Sequence, residues 1–341
     1  MQAEDLQPVH TYGMRHHLSN LSMPKLSMSN LSNPAHSLPD LQSSGDLIAD
    51  RRFAYAQALL DEKDAEAAQD LFAQVLERVP NWPPALLGLG DACLLAQDHA
   101  QAIHNFRLCL AHDASDRLGA GPRLARLQAL EPDAAISAGY VTALFDDYAK
   151  RFDSHLVETL DYRAPDLLRD RLLQEIASFD RAYDLGCGTG LMGALLRPHV
   201  KTLSGCDLSP AMLQEARKKK IYDQLDHADC AHALFNQSAA SLDLITAADV
   251  VVYLGALQDL FKSAHHSLKT GGMLALTAQA CSGDYFIIGE DLRSAHSETY
   301  IREQARLTGF ETLCCDPVSV RKDRGLPVKG WLCLFRKKQR A

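Results

Sequence analysis

The residues best suited to chemistry gather in Asp184-Leu185-Gly186-Cys187-Gly188-Thr189-Gly190, between an apolar stretch and the helical-looking Leu191–Leu196. The pattern predicts a strand, a tight turn and the start of a helix. Gly186, Gly188 and Gly190 leave the turn free to take positive φ and keep side chains out of a ligand's way. The acid precedes the glycines, as D-x-G-x-G-x-G. A nicotinamide dinucleotide fingerprint instead has G-x-G-x-x-G at the turn, with its acid about 20 residues later. A carboxylate at Asp184 can pair with the cationic amino-acid end of a ligand, which a pyrophosphate would not tolerate. Asp207 lies 23 residues beyond Asp184; a short third strand is expected to end near Asp229, and a fourth, Leu242–Ala247, at Asp249. A single strand-end Asp is usually a helix cap. Three in register after strands one, two and three point to one shared ligand, outside the carboxyl ends of a doubly wound sheet.

A second candidate cluster is Arg293-Ser294-Ala295-His296-Ser297-Glu298-Thr299-Tyr300. Read as helix, it puts His296 and Tyr300 at i,i+4 with Arg293 one turn earlier, all on one face. An imidazole near its unperturbed pKa is a competent base at neutral pH, so His296 is the expected catalytic base. Tyr300 and Tyr253 are its expected partners, and Arg293 a substrate contact. His265-His266 sit at a helix end, where partly cationic residues are favoured anyway, and carry no metal reading; no metal is expected.

These residues need a scaffold, and the chain predicts one from residue 132 to 341. Helical periodicity at Tyr140–Phe152 and Pro165–Ile176 precedes strands at Arg181–Leu185, Lys201–Cys206, a short third ending near Asp229, Leu242–Ala247 and Met273–Ala278. Helix is expected through 281–308, then strands at Glu311–Val320 and Trp331–Phe335. Alternating helices and strands imply a parallel α/β sheet with crossover helices.

Residues 46–131 read differently. Ala68, Phe72 and Pro80 recur 34 residues on as Ala102, Phe106 and Ala114, with a capping helix expected near Arg123–Leu130. This period resembles the tetratricopeptide repeat, in degenerate form. Two repeats stabilise one another only modestly. A peptide groove, self-association and a structural role all remain open for them. Residues 1–45, rich in Leu-Ser and Asn-Leu-Ser units with Pro8, Pro24, Pro34 and Pro39, are expected to be disordered.

Net charge of −8 over 341 residues argues against bulk nucleic-acid binding. No apolar run approaches the roughly 18 residues of a membrane span, and no apolar leader segment is seen. Nine cysteines show no C-x-x-C spacing, which fits a reducing cytoplasm.

With the motifs in place, the glycine turn resembles motif I of class I S-adenosylmethionine-dependent methyltransferases. More closely, residues 50–341 look like bacterial predicted methyltransferases with N-terminal tetratricopeptide repeats. The resemblance implies a Rossmann-like seven-stranded sheet of order 3-2-1-4-5-7-6, with strand seven antiparallel, and S-adenosylmethionine as cofactor. It implies that Asp207 accepts the ribose hydroxyls, that Asp229 and Cys230 meet the adenine edge, and that Leu208 flanks the base. Tyr148 and Phe152 would lie near the sulfonium, which aromatic faces attract. Asp184, Gly186, Cys187, Gly188, Gly190 and Asp249 complete the expected cofactor set. Asp249-Val250-Val251-Val252-Tyr253 is not the tetrad of nucleic-acid amino methyltransferases.

The expected reaction is methyl transfer to an oxygen or nitrogen of a small or carrier-presented acceptor. Alternatives are a protein methyltransferase recruiting its substrate through the repeats, and a non-catalytic cofactor-binding scaffold; complete glycines and all three acids argue against decay. Deleting residues 1–131 is expected to spare activity on a small acceptor.

Overall fold

The computed structural model describes residues 43–154, 161–323 and 325–339. Most of the segment expected to be disordered therefore lies outside the described residues. The chain begins with helices α1 (Leu47–Asp61), α2 (Ala65–Arg78), α3 (Pro83–Leu95), α4 (His99–His112) and α5 (Ala120–Arg126). Asp64 caps α2 by accepting from Ala67 N at 3.2 Å, and Asp98 caps α4 by accepting from Gln101 N at 3.1 Å. Capping acids 34 residues apart start two equivalent helices. Ala68, Phe72, Ala102 and Phe106 are fully buried. The Phe72 ring packs so tightly on α3 that a Cβ at Gly88 would sit 2.5 Å from it, and Phe106 closes on Gly90 in the same way. The fifth helix starts three residues earlier than expected. A buried ion pair between Arg123 and Asp91, 2.7 Å, ties it to α3.

The sheet follows α6 (Ala138–Tyr148), the short turn α7 (Phe152–Ser154) and α8 (Ala164–Glu175). Its strands are β1 (Phe179–Leu185), β2 (Val200–Asp207), β3 (Gln224–His227), β4 (Leu242–Ala247), β5 (Leu268–Ala280), β6 (Phe286–Ile288), β7 (Ser294–His296), β8 (Phe310–Asp323) and β9 (Leu326–Lys337). Connecting helices are α9 (Leu191–Leu196), α10 (Pro210–Lys219), α11 (Cys230–Phe235), α12 (Gln258–Ser267) and α13 (Glu298–Leu307). The first five strands are parallel in the order β3-β2-β1-β4-β5. Strand β9 runs antiparallel beside β5, from Met273↔Arg336 to Gln279↔Gly330, and β8 pairs outside it. With β9 and β8 as the final pair, these seven strands keep the expected order, but the sheet among the described residues has nine strands, not seven, because β7 and β6 also join it at β5.

Apolar side chains from both faces make the core. One side gathers Tyr183, Ile245, Phe261 and Phe335, the other Leu168, Leu203, Leu244 and Met273. One expectation fails here. Residues 281–308 are not continuous helix: an antiparallel hairpin, β6–β7, precedes α13 and pairs with the end of β5 at Gln279↔Ala295 and Ala280↔His296. Helix α13 begins only at Glu298, where the Ser297 hydroxyl accepts from Tyr300 N at 3.1 Å.

Candidate active site

The carboxyl ends of β1, β2 and β4 open onto one cleft, lined by Gly186, Gly188, Asp207, Asp229, Asp249 and Arg293 among others. Its floor is the turn after β1. Gly186 has φ +52°, and a Cβ there would lie 2.6 Å from Val250 Cγ2. Gly188 has φ +54°, and a Cβ there would meet only the Phe152 ring, at 3.7 Å. The turn thus offers bare backbone to a ligand.

Asp207, at the end of β2, holds that turn. One carboxylate oxygen accepts from Gly188 N at 2.9 Å and the other from Ser209 N at 2.8 Å. Each oxygen can accept one further hydrogen bond, and Asp207 lines the cleft. Burial raises its pKa, against the hydrogen bonds from Ser209 and Gly188. Asp229 caps α11 through a single oxygen, accepting from Ala231 N at 2.9 Å and His232 N at 3.2 Å. It lines the cleft beside Cys230 and Leu208. On the wall formed by α6 and α7, aromatic edges run in a row: Tyr148 to Phe152 (5.2 Å), Phe152 to Phe145 (6.0 Å) and Phe145 to Tyr253 (5.2 Å).

Three expected cofactor residues do not reach the cleft. Asp184 is 1% exposed; it accepts from Tyr222 Oη at 2.6 Å and Thr246 Oγ1 at 2.7 Å. Burial pushes its pKa up to about 6 despite those bonds. It braces the turn from below rather than meeting a ligand's amino group. The N–H of Cys187 is spent on Cys206 O at 2.8 Å, its thiol is buried, and Gly190 caps α9.

His296 and Tyr300 also need correction. His296 lies on β7, fully buried, and its Nε2–H donates to Gly255 O at 2.9 Å. Nδ1 has no partner among the described residues. Tyr300 Oη accepts from Leu257 N at 2.9 Å. With Phe286 and Tyr285 they form an aromatic cluster behind the cleft wall. Neither lines the cleft, so neither is placed to take a proton there.

Burial drops the His296 pKa from 6.5 to about 4. Between those values an unfolded chain binds a proton that the folded chain refuses, so stability falls on acidification by up to about 3 kcal/mol. Asp184 contributes with the opposite sign, since an acid whose pKa is raised stabilises the fold at low pH and loses that contribution as pH rises through 6. Urea unfolding of wild type and His296→Gln should therefore show a gap that depends on pH across 6.5 to 4. Parallel stability curves would mean that the imidazole does not stay neutral.

The sequence reading placed Arg293 and Tyr253 in the pocket, and the structure brings them together. The Arg293 guanidinium lies 5.4 Å over the Tyr253 ring, and both line the cleft. It makes no hydrogen bond or ion pair with any described residue. Burial works against its charge, and the fields of Tyr253, Asp249 and Asp291 outweigh that, raising its pKa.

A second arginine went unrecognised in the sequence. Arg321, on β8 and 4% exposed, donates from Nη1 to both oxygens of Asp249 at 2.8 Å and from Nη2 to Gln279 Oε1 at 2.9 Å. Its partner Asp249 sits at φ +58°, a conformation costly for a residue other than glycine. A register shift between Ser319 and Lys322 sets the inward aim of this side chain. Arg321→Met would leave Asp249 charged and unpaired, lowering stability by about 3 kcal/mol. The double variant Arg321→Met/Asp249→Asn should recover most of the lost urea midpoint. Failure to recover would show that the pair is incidental.

Among the described residues, no group of three or more His, Cys, Asp or Glu could hold a metal ion, and no helix is long and apolar enough to cross a membrane.

Residues 183–274 match a family described as a methyltransferase domain. A malonyl-(acyl-carrier protein) O-methyltransferase of Enterobacter lignolyticus is 31% identical over 140 residues, 41% of this chain and 53% of that protein. A trans-aconitate 2-methyltransferase of Rhizobium rhizogenes is 35% identical over 111 residues, 32% of this chain and 42% of that protein. The chain thus spans about half the length of these curated relatives. Among solved structures, a Burkholderia thailandensis 1,6-didemethyltoxoflavin-N1-methyltransferase, with S-adenosylhomocysteine bound, is 16% identical with a TM-score of 0.47. That match covers 59% of this chain and 89% of the other.

Proposed function

We propose that this chain, whose residues 183–274 match a methyltransferase domain, transfers a methyl group from S-adenosylmethionine to a carboxylate oxygen of a small or carrier-borne acceptor. The observation that carries the acceptor class is Arg293: a cation in the cleft wall that feels the fields of Asp249 and Asp291 but whose guanidinium makes no hydrogen bond or close ion pair with a described carboxylate. The N–H groups of that guanidinium are left without acceptors among the described residues, and its planar fork matches a carboxylate. The other arginine of the wall is already saturated by Asp249.

The cleft fits the cofactor by its own chemistry. Gly186 and Gly188 offer backbone, Asp207 accepts two hydroxyls, Asp229 has one carboxylate oxygen outside its helix cap, and Tyr148 and Phe152 present aromatic rings suited to a sulfonium. When bound, S-adenosylmethionine supplies an electrophilic methyl group on positively charged sulfur. An O–CH₃ bond forms as the S–CH₃ bond breaks, the bonding pair stays on sulfur, and the two opposite charges cancel. A carboxylate is already deprotonated at neutral pH, so no proton moves. That agrees with the placement of His296 outside the cleft. The work left to the protein is orientation: Arg293 fixes one oxygen, and the aromatic row of Phe145 and Tyr253 confines the acceptor's body.

The relatives support this reading, since malonyl and trans-aconitate acceptors both carry carboxylates. We read residues 46–131 as two tetratricopeptide-type repeats with a capping helix, on the 34-residue recurrence of Asp64/Asp98, Ala68/Ala102 and Phe72/Phe106, and residues 132–341 as the catalytic domain. Nine free thiols suit a reducing cytoplasm. The test uses cofactor labelled in the methyl group, incubated with protein and host extract and with malonyl-pantetheine or trans-aconitate. Methyl esters release volatile labelled methanol in mild alkali. Label that survives alkali would overturn the carboxylate assignment.

A further inference from the structure

We infer that Ile288 is a positioning residue for acceptor recognition: through it the helical block fixes the β6–β7 hairpin that carries Arg293. The inference rests on the reading of Arg293 given above.

The hairpin is short of stabilising contacts of its own. Each strand has three residues, paired Phe286↔His296, Ile287↔Ala295 and Ile288↔Ser294, and an isolated hairpin of that size does not hold its shape in water. Its turn is closed by Gly289 N donating to Arg293 O at 2.7 Å and Leu292 N donating to Gly289 O at 3.1 Å. Leu292, buried in that turn, has φ +60°. A leucine held there is strained and persists only where the surroundings enforce it. The sheet supplies part of the grip, with two residue pairs to β5 and a hydrogen bond from Trp331 Nε1 to His296 O at 3.1 Å.

The rest comes from the helical block and the segment leaving it. Ile288 is buried in a cluster with Ala125 of α5 and Ala135, flanked by Leu130 and Ile136. Tyr285 Oη donates to Asp133 Oδ1 at 3.4 Å. The same segment passes the loop that receives the His296 hydrogen bond: a Cβ at Gly255 would lie 2.9 Å from Pro132 O. It also fastens the opposite wall. The Ser137 hydroxyl donates to Ser115 O at 2.9 Å, and the Tyr140 ring of α6 would meet a Cβ at Gly119 at 2.6 Å.

Both walls of the cleft are thus referred to one anchor, while the turn after β1 and the acids that follow β2 and β3 stand on the sheet itself. Ile288 is the last residue of β6, paired with Ser294, and Arg293 lies in the turn only five positions on, so slack at Ile288 passes directly to that turn. Displacing Arg293 bends its hydrogen bonds to the acceptor, which weaken steeply off line, so the loss falls on acceptor binding. Deleting residues 1–131 removes Ala125 and Leu130 from beneath Ile288. Loss of small-acceptor activity is therefore expected on truncation, contrary to the expectation from sequence.

The test uses the full chain carrying Trp82→Phe, which leaves Trp331 as the sole tryptophan and makes its emission a reporter on β7. Ile288→Ala should shift that emission to the red and raise the acceptor KM about tenfold or more, with kcat within about threefold. Affinity for S-adenosylhomocysteine should stay within about twofold. Ile288→Val, which removes one methylene, should change the acceptor KM in the same direction but by less. Unchanged emission and KM, or a loss of S-adenosylhomocysteine affinity equal to the loss of acceptor affinity, would overturn the inference. Should Ile288→Ala fail to fold, hydrogen exchange of residues 286–296 in Ile288→Val decides: faster exchange confined to that hairpin supports it, and wild-type protection refutes it. If wild type methylates no carboxylate, the acceptor reading fails by itself, while emission and exchange still decide how the hairpin is held.

Discussion

Arg293→Met is expected to lower kcat/KM for a carboxylate acceptor by about 10²–10³-fold. A hydrogen bond to a charged group contributes about 1.5–3 kcal/mol, and a guanidinium meets a carboxylate with two parallel N–H donors. Partial access of solvent to the cleft keeps the expected loss below the full sum. Methionine retains much of the stem's packing against Tyr253, so the change isolates the charge and the fork. A carboxylate is also present on the methionine end of the cofactor, and the experiment separates the two sources. If Arg293 holds the acceptor, calorimetry with S-adenosylhomocysteine gives nearly wild-type affinity. If it holds the cofactor, that affinity falls and the acceptor KM does not. An Arg293→Met enzyme with wild-type values for both would remove the arginine from recognition altogether.

Asp207→Ala should weaken S-adenosylhomocysteine binding by about 10²-fold or more. Two lost hydrogen bonds from ligand hydroxyls to an ionised carboxylate account for that much. A second effect adds to the first. Asp207 also fixes Gly188 and Ser209 through their N–H groups, so the alanine variant loosens the turn that faces the ligand. Asp207→Asn keeps one acceptor oxygen but replaces the other with a donor, and should fall between the two. If the carboxylate holds the nucleoside, as proposed, turnover at saturating cofactor should change far less than cofactor KM. Equal calorimetric affinity in wild type and Asp207→Ala, with both proteins folded by circular dichroism, would refute the role of Asp207.

The cofactor side of the cleft was legible because its information is local. Strand, glycine turn and strand-end acid follow one another within a few residues, and the acids keep their register because β1, β2 and β4 are buried, parallel and adjacent. Asp184 shows the limit of that reading. A strand-end acid can point up to a ligand or down to Tyr222 and Thr246, and only packing decides. The acceptor side depends on non-local choices. Helical spacing of Arg293, His296 and Tyr300 was real, yet Ser297 is a helix cap with Glu298 in the first turn, a signal that the helix starts after His296. Phe286-Ile287-Ile288 between Gly283 and Gly289 carries strand chemistry that the helical pattern obscured. Arg321 was hidden more deeply, since a register shift in β8 sets its direction and no residue pattern announces it.

Strand β9 lies next to β5 and inside β8, although it is synthesised after every other strand described. A growing chain emerging from the ribosome must therefore carry β5 with one edge open while some 60 further residues are added. At ~5–20 residues per second that is several seconds of unpaired backbone. Met273-Leu274-Ala275-Leu276 is an apolar stretch, and an open apolar edge invites pairing with a foreign strand. Arg321 and Trp331, which brace Asp249 and His296, arrive in the same late hairpin. The nascent protein thus passes through a stage in which the cofactor floor exists and the acceptor wall does not. A stop codon before residue 326 would freeze it there, as an aggregation-prone fragment expected to need chaperone protection.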